Sequence, residues 1–344
     1  MPEGSAARGL RQQETLMMER VLVTGATGFT GGHLCLRLAE EGYQVRGLVR
    51  DTGRCSGLQE LGIDIAVGDL RDLPSLEKAT EGVDVVYHIA ALFREADVSR
   101  EDMWETNVRG TENILRASEA AGARRFVHCS TVGVHGDVRN PPATEATGYA
   151  PGDDYQESKT EGERLALQYM SQGRLPIVVF RPAGIYGPGD TRFLKLFRGI
   201  KNRTFVMLGS GKVQYQMVYI DDLVEGILLC GTAEKAVGNV YILTGEEPVT
   251  LNQLAGMIAD VVGAPPPRLR FPVAPVYLAG HLCELLCRPI GIQPPLYRRR
   301  VDFFRKNRAF SIAKAKADLG FRPRTELREG LQRTAEWYVE QGLL

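Results

Sequence analysis

A short apolar run that opens directly into spaced glycines constrains this chain more than any other feature. Residues 20–24 read as a strand. They feed Thr24-Gly25-Ala26-Thr27-Gly28-Phe29-Thr30-Gly31-Gly32, and an apolar pattern at helical spacing follows over 29–41. Gly25 permits a tight turn out of the strand, and Gly28 lets the backbone approach a pyrophosphate. Gly31 lets the helix pack against the sheet with its N-terminus toward the phosphates. The spacing is G-x-x-G-x-x-G, one residue wider at its start than the common dinucleotide fingerprint. A glycine cluster alone is a weak signal; placed between a first strand and an amphipathic helix it reads as a cofactor loop. Thr27, Phe29 and Thr30 belong to the same loop and are expected against the cofactor.

The pattern repeats in kind. Apolar runs at 44–49, 63–67, 83–88, 125–130 and 177–181 alternate with helical patterns at 73–80, 100–121 and 153–172. Such alternation predicts an α/β fold, a Rossmann-type doubly wound parallel sheet with helices on both faces. After Gly187 proline and glycine become frequent, with helices expected at 251–262, 275–287, 311–319 and 327–340 and a strand at 239–244. The expected organisation is a flexible leader at 1–19 and a dinucleotide-binding domain at 20–186, to which 218–245 return. Residues 187–217 and 246–344 then form a smaller substrate-binding lobe over the carboxyl ends of the strands. Met17 or Met18 is an alternative start.

Composition narrows the function class. The chain has 42 Lys+Arg and 42 Asp+Glu among 344 residues, so it carries no electrostatic footprint for nucleic acid. Cys35, Cys55, Cys129, Cys230, Cys283 and Cys287 show no C-x-x-C spacing; they read as reduced thiols of a cytoplasmic protein, and no metal site is expected. No run reaches the roughly 20 apolar residues of an integral membrane span. The nearest, 273–287, is interrupted by Pro275, His281 and Glu284, and it is able to touch a hydrophobic surface.

Further candidates sit at the ends of the expected strands. Arg50, followed by Asp51, ends the second strand, where arginine suits the 2′-phosphate of NADP and an acid the 2′-hydroxyl of NAD. NADP(H) is favoured; NAD(H) stays open. Asp69 and Leu70 follow the third strand, and Asp69 either meets the adenine or caps the next helix. The fourth ends in His88-Ile89-Ala90-Ala91, small residues that let backbone lie along the cofactor. Tyr155 and Lys159 stand four apart, on one face of a helix. A phenol with a pKa near 10 is a poor base at neutral pH, and a neighbouring ammonium lowers that pKa. The pair is suited to proton transfer at a hydroxyl or carbonyl. Ser130 and Thr131 end the fifth strand and bring hydroxyls to the same edge.

Together these motifs resemble the extended short-chain dehydrogenases/reductases. The order of the glycine loop, Gly68-Asp69-Leu70, His88 to Ala91, Asn107-Val108-Arg109-Gly110-Thr111, Ser130-Thr131 and Tyr155-x-x-x-Lys159 is that of the superfamily. Arg181-Pro182-x-x-x-Tyr186-Gly187-Pro188-Gly189-Asp190, Val218-Tyr219-Ile220-Asp221-Asp222 and Ala317-Asp318-Leu319-Gly320-Phe321-Arg322-Pro323 extend the match over about residues 20–340. The resemblance implies that Tyr155 is the acid/base, that Lys159 tunes it and binds the nicotinamide ribose, and that Thr131 positions substrate. It implies that Asn107 supports the site, that Pro182, Ala183 and Ile185 contact the nicotinamide, and that the 100–121 and 153–172 helices build a homodimer. Ser130, Val132, Tyr186, Arg192 and Tyr215 are expected at the substrate.

Within the superfamily, dehydratases carry Asp-Glu after the catalytic Thr, whereas Thr131 precedes Val132-Gly133. Sugar-nucleotide members place a diphosphate-gripping arginine where this chain has Tyr215. Leu278, Leu282, Leu285 and Leu286 make a stripe at helical spacing, read as core or binding wall. The chain looks most similar to the 3β-hydroxysteroid dehydrogenase-like and dihydroflavonol reductase-like branches, which implies a hydrophobic alcohol or ketone as substrate. A nucleotide-sugar 4-epimerase is the alternative, with Arg192, Lys195 and Arg198 available to a diphosphate. A regulatory protein that binds NADP without turnover is the second; the presence of Tyr155 and Lys159 speaks against it.

Overall fold

Strands that are buried at every position, such as Ile177–Pro182, need cover on both faces, and the topology supplies it. In the computed structural model, which describes residues 19–93, 98–287 and 298–344, seven strands form one parallel sheet. They are β1 (Arg20–Thr24), β2 (Gln44–Val49), β3 (Asp64–Val67), β4 (Val85–His88), β5 (Arg125–Cys129), β6 (Ile177–Pro182) and β11 (Asn239–Leu243). Their order is β11-β6-β5-β4-β1-β2-β3. The expected leader falls almost wholly on residues 1–18, outside the described residues.

Side chains alternate across the sheet. Val21 and Val23 of β1 pack on one face with Leu34 and Leu38 of α1 (Phe29–Glu40), while Leu22 packs on the other. That second face is covered by α2 (Leu73–Thr80), α3 (Gly110–Ala120) and α4 (Asp154–Ser171) through Leu76, Ile114, Leu115 and Ala166. The strand order reverses between β1 and β4, the switch point at whose carboxyl ends a crevice opens in such sheets.

Several departures from expectation matter for the site. The 100–121 helix is not continuous: Arg100–Trp104 gives way to a π-helical turn, Glu105–Arg109, before α3. Gly162 of α4 lies so close that a Cβ there would sit 2.6 Å from the Asn107 carbonyl oxygen. Two helices, α5 (Leu194–Lys201) and α6 (Ile220–Thr232), were missed by the periodicity reading. The Asp222 carboxylate at the start of α6 accepts Arg324 N–H at 2.8 Å and Thr325 N–H at 3.1 Å.

Beyond β6, short strands pair in twos: β7 (Gly184–Tyr186) with β10 (Met217–Tyr219), β9 (Gln214–Tyr215) with β12 (Val249–Thr250), and β8 (Met207–Leu208) with β13 (Arg270–Phe271). They are joined by α7 (Leu251–Val261), α8 (Val273–Cys287), α9 (Arg298–Asp302), α10 (Ala313–Leu319) and α11 (Leu327–Glu340). On α8 the leucine stripe is not core. Leu278, Leu282, Leu285 and Leu286 are all exposed, and Leu278 also borders a pocket.

Candidate active site

The glycine loop turns at the end of β1. Gly25 has φ +72°, and a Cβ there would press on Ala90 Cα at 2.9 Å; a Cβ on Gly31 would overlap the Gly25 carbonyl oxygen. The first turn of α1 has Gly28 as its N-cap, with no side chain bonded to its amides. These features fit a dinucleotide pyrophosphate: close backbone approach, donors without side-chain competition, and the positive end of a helix dipole. Arg192 lies at this loop. Its guanidinium is 5.5 Å from the Phe29 ring centroid and donates to Asp190 and, at 2.9 Å, to the Ile185 carbonyl. Its placement is thus cofactor-side, where substrate contact was expected.

A hydrogen-bonded chain ties the loop to the neighbouring strand. Thr24 Oγ1 accepts from Ile89 N–H at 3.1 Å and Ala90 N–H at 3.0 Å, and lies 2.9 Å from His88 Nδ1. His88 Nε2 lies 3.1 Å from Thr111 Oγ1, which donates to the Asn107 carbonyl at 2.7 Å. With Thr24 already accepting twice, its proton goes to Nδ1, which leaves the His88 proton on Nε2. Burial, aided by Lys159, pushes the His88 pKa down to about 3, so this ring is neutral. Ala90 is thereby held against the glycine turn, with Ala91 next along the chain.

At the ends of β2 and β3, Arg50 is exposed and Asp51 accepts Gly53 N–H at 3.0 Å within its own turn. Asp69 pairs with Arg71 at 2.8 Å; that hydrogen-bonded guanidinium holds its carboxyl below the usual range. Leu70 is buried against Gly110, and its carbonyl accepts from Asn113 at 2.9 Å.

Asp153 starts α4 by accepting Gln156 N–H at 3.0 Å, and the helix presents Lys159 to the end of β5 with Tyr155 one turn before it. Tyr155 is half-buried, its ring edge-on to Phe93 with centroids 4.9 Å apart. Lys159 is buried, and its Nζ donates to the Cys129 carbonyl at 2.6 Å. Desolvation lowers its pKa from the ordinary lysine value, opposed by Cys129 and Glu163. Asn107 clamps both sides of the site. Its Oδ1 accepts Leu92 N–H at 2.7 Å, while Nδ2 donates to the Leu92 carbonyl at 3.1 Å and to Ser158 Oγ at 3.0 Å. The π turn places it there; the sequence offered no sign of that turn, although π turns recur at functional sites.

Thr131 Oγ1 accepts Gly133 N–H at 3.0 Å, which leaves its hydroxyl proton to donate. Ser130 turns the other way. It is buried with its hydroxyl on the Glu163 carboxylate, which also pairs with Arg181 and accepts from Tyr149 at 2.7 Å. Val132 and Tyr186 are buried too, Tyr186 edge-on to Tyr219 at 5.6 Å. The expectation that Ser130, Val132 and Tyr186 meet substrate finds no support in this arrangement, because packing and the Glu163 acceptor draw them inward. Pro182 and Ala183 are buried and Ile185 is half-buried, in the stretch that runs from β6 into β7. Tyr215 lies with its hydroxyl at the Gly184 backbone, edge-on to Phe303 at 5.2 Å and beneath the Arg308 guanidinium at 5.6 Å. Phe303 and Arg308 were missed because they meet Tyr215 from far along the chain, Phe303 by a ring contact and Arg308 by a β-bridge.

Comparison with known proteins agrees with this geometry. The model of the NAD dependent epimerase/dehydratase family matches residues 21–243. The chain is 30% identical over 94% of its length to the 3 beta-hydroxysteroid dehydrogenase/Delta 5-->4-isomerase of Mycobacterium tuberculosis, covering 92% of that protein. The crystal structure of gox2253 superposes with a TM-score of 0.82 at 31% identity, covering 95% of this chain and 99% of the other. A double mutant of DesIV, a dTDP-glucose 4,6-dehydratase from Streptomyces venezuelae solved with NAD bound, has a TM-score of 0.76 at 26% identity, over 94% of this chain and all of that one. With the Rossmann-type sheet, the glycine loop and these relatives in hand, the chain belongs to the NAD-dependent epimerase/dehydratase family and is an enzyme of the extended short-chain dehydrogenase/reductase type.

Proposed function

We propose that this enzyme interconverts a hydroxyl and a ketone on a hydrophobic, sterol-like or aromatic small molecule, with Tyr155 as the acid/base. The observation that carries the reading is Lys159: a buried ammonium fixed on the Cys129 carbonyl one turn from Tyr155, at the sheet edge that also holds the glycine loop. A positive charge there favours the phenolate, so Tyr155 takes the proton in oxidation and returns it in reduction. Thr131 steadies the reacting oxygen with its remaining hydroxyl proton. Asn107 orients by its grip on Leu92 and Ser158. When bound, a nicotinamide cofactor supplies or accepts the hydride. Residues Gly25, Thr27, Gly28, Phe29, Thr30 and Gly31 would hold its pyrophosphate, with Pro182, Ala183 and Ile185 beside the ring. NADP(H) is the preferred form, since Arg50 is exposed at the ribose end while Asp51 is engaged by Gly53 N–H. A homodimer through Arg100–Trp104, α3 and α4 is part of the same reading.

Hydrophobic substrate is supported by Tyr215 and Phe303 where a diphosphate would want a guanidinium fork, and by the name of the mycobacterial relative. One observation favours a second reading, nucleotide-sugar 4-epimerase: Arg308 Nη1 is buried beside Tyr215 without an acceptor among the described residues. A turnover panel of sterol-like and aromatic alcohols and ketones against UDP-, GDP- and dTDP-sugars separates the two. Saturable epimerisation with no turnover of any hydrophobic candidate would reverse their order. Tyr155→Phe should slow turnover by about 10²–10⁴-fold with cofactor affinity little changed; near-normal turnover in that variant removes Tyr155 from the role.

A further inference from the structure

We infer that the outer face of α8 is a docking surface for anionic lipid, through which apolar substrate reaches the lobe. The entry step rests on the hydrophobic-substrate reading; the docking does not.

The face is built from helix geometry. Leu278, Leu282, Leu285 and Leu286 fall at i, i+4, i+7 and i+8, hence on one side. They are 58%, 49%, 61% and 69% exposed, and Leu269 and Phe271, leading into the helix, are 60% and 50% exposed. Single exposed leucines are ordinary, whereas a contiguous set marks an interaction surface. An adjoining side of α8 has a different task. Val273, Ala274, Tyr277 and His281 line an open pocket of about 480 Å³ together with Val213 and Phe304. The helix therefore carries apolar residues on two adjoining sides, and Leu278 touches both the pocket and the exterior.

Charge selects the occupant. From Ala264 to Phe310 the sequence has nine Lys/Arg against two Asp/Glu, in a chain whose formal charge is zero. Both acids are engaged internally: Glu284 pairs with Arg298 at 2.8 Å, and Asp302 with Arg305 at 3.3 Å and Lys306 at 2.8 Å. Arg268, Arg270, Arg300 and Arg305 are exposed; Arg305 stacks on Tyr277 at 3.9 Å, and Arg270 donates to neutral oxygens of Ser210 and Asn252. An exposed leucine face on a segment rich in exposed arginines matches an anionic bilayer surface, whose acyl chains take the leucines and whose headgroups take the arginines. A second copy of the chain would bring two such cationic segments together and is disfavoured. The 15 residues of α8 are too few to span a bilayer, and among the described residues no helix is long and apolar enough to cross one. The helix lies on the surface.

Flotation of the full chain with phosphatidylcholine vesicles, with and without phosphatidylglycerol, tests this. The wild type is expected to float with the anionic vesicles and to be released by salt. A Leu282→Ser/Leu285→Ser/Leu286→Ser variant should lose binding by at least about tenfold. Its thermal melt and turnover of a short water-miscible alcohol should match wild type, while turnover of vesicle-borne substrate falls. Equal flotation of variant and wild type, or none by either, overturns the docking. So does light scattering in which the variant turns a dimer into a monomer, since the face is then a self-contact. If flotation holds but only nucleotide sugars are turned over, the docking stands and the substrate reading falls. If hydrophobic alcohols are turned over without flotation, the reverse is true.

Discussion

His88 and His128 sit side by side on β4 and β5, ring centroids 5.5 Å apart, both wholly buried and both neutral. Their pKa values are lowered chiefly by burial, that of His88 to about 3 and that of His128 well below the ordinary value. The sign for stability follows. Between roughly pH 6.5 and 3 the unfolded chain binds protons on these rings and the native state does not. Stability therefore rises with pH in that window and is lost on acidification, by about 1.4 kcal/mol per pH unit for each ring. Urea unfolding followed from about pH 6.5 down to about pH 5 should show stability falling toward this slope, and His128→Asn should remove about one proton's share. An unchanged slope in that variant would mean His128 does not titrate on unfolding. His88→Phe has a second consequence: it strands the Thr24 hydroxyl proton, while Thr111 keeps its bond to the Asn107 carbonyl, and should cost about 1–3 kcal/mol.

Two contacts between elements hold the proposed catalytic edge. The buried Glu163–Arg181 pair joins α4 to β6 and gathers Ser130, Tyr149 and, through Arg181, His135. Removing one partner leaves an uncompensated charge, so Glu163→Ala should cost about 3–5 kcal/mol in urea unfolding. A loss under about 1 kcal/mol would show that water enters the cluster freely. The second contact is backbone to backbone. Gly162 of α4 admits the carbonyl of Asn107 on the π turn, and Gly162→Ala would force the two apart. The expected cost is about 1–3 kcal/mol of overpacking, with weakened turnover because Asn107 loses its place between Leu92 and Ser158.

For the whole molecule, cofactor binding and assembly are the measurable quantities. A ligand that binds only the folded state at 100 times its Kd adds about 2.7 kcal/mol. NADP(H) should raise the unfolding midpoint accordingly, and Arg50→Ala should lose that rise while the response to NAD(H) stays. A wild type that answers more strongly to NAD(H) would leave Arg50 as surface charge. Light scattering at micromolar concentration is expected to give a dimer, and a monomer alone would remove the proposed role of α3 and α4.

The local sequence determined the sheet, the glycine loop and the Tyr155/Lys159 pair, because each depends on period, turn chemistry or i, i+4 spacing within one segment. Sequence also placed an apolar stripe on 273–287, but period alone states that leucines share a face and not which way the face points. Tertiary structure left them exposed and put Tyr277 and His281 on the pocket side. The same limit governs polar groups. Ser130 and Thr131 are neighbours in sequence, yet Ser130 meets Glu163 on a distant helix and Thr131 caps its own turn. Arg192 followed Asp190 and Phe29 to the glycine loop, and Arg308 came beside Tyr215 through a strand-like bridge. A side chain's direction is set by the partner it finds across the fold, and that partner is encoded elsewhere in the chain.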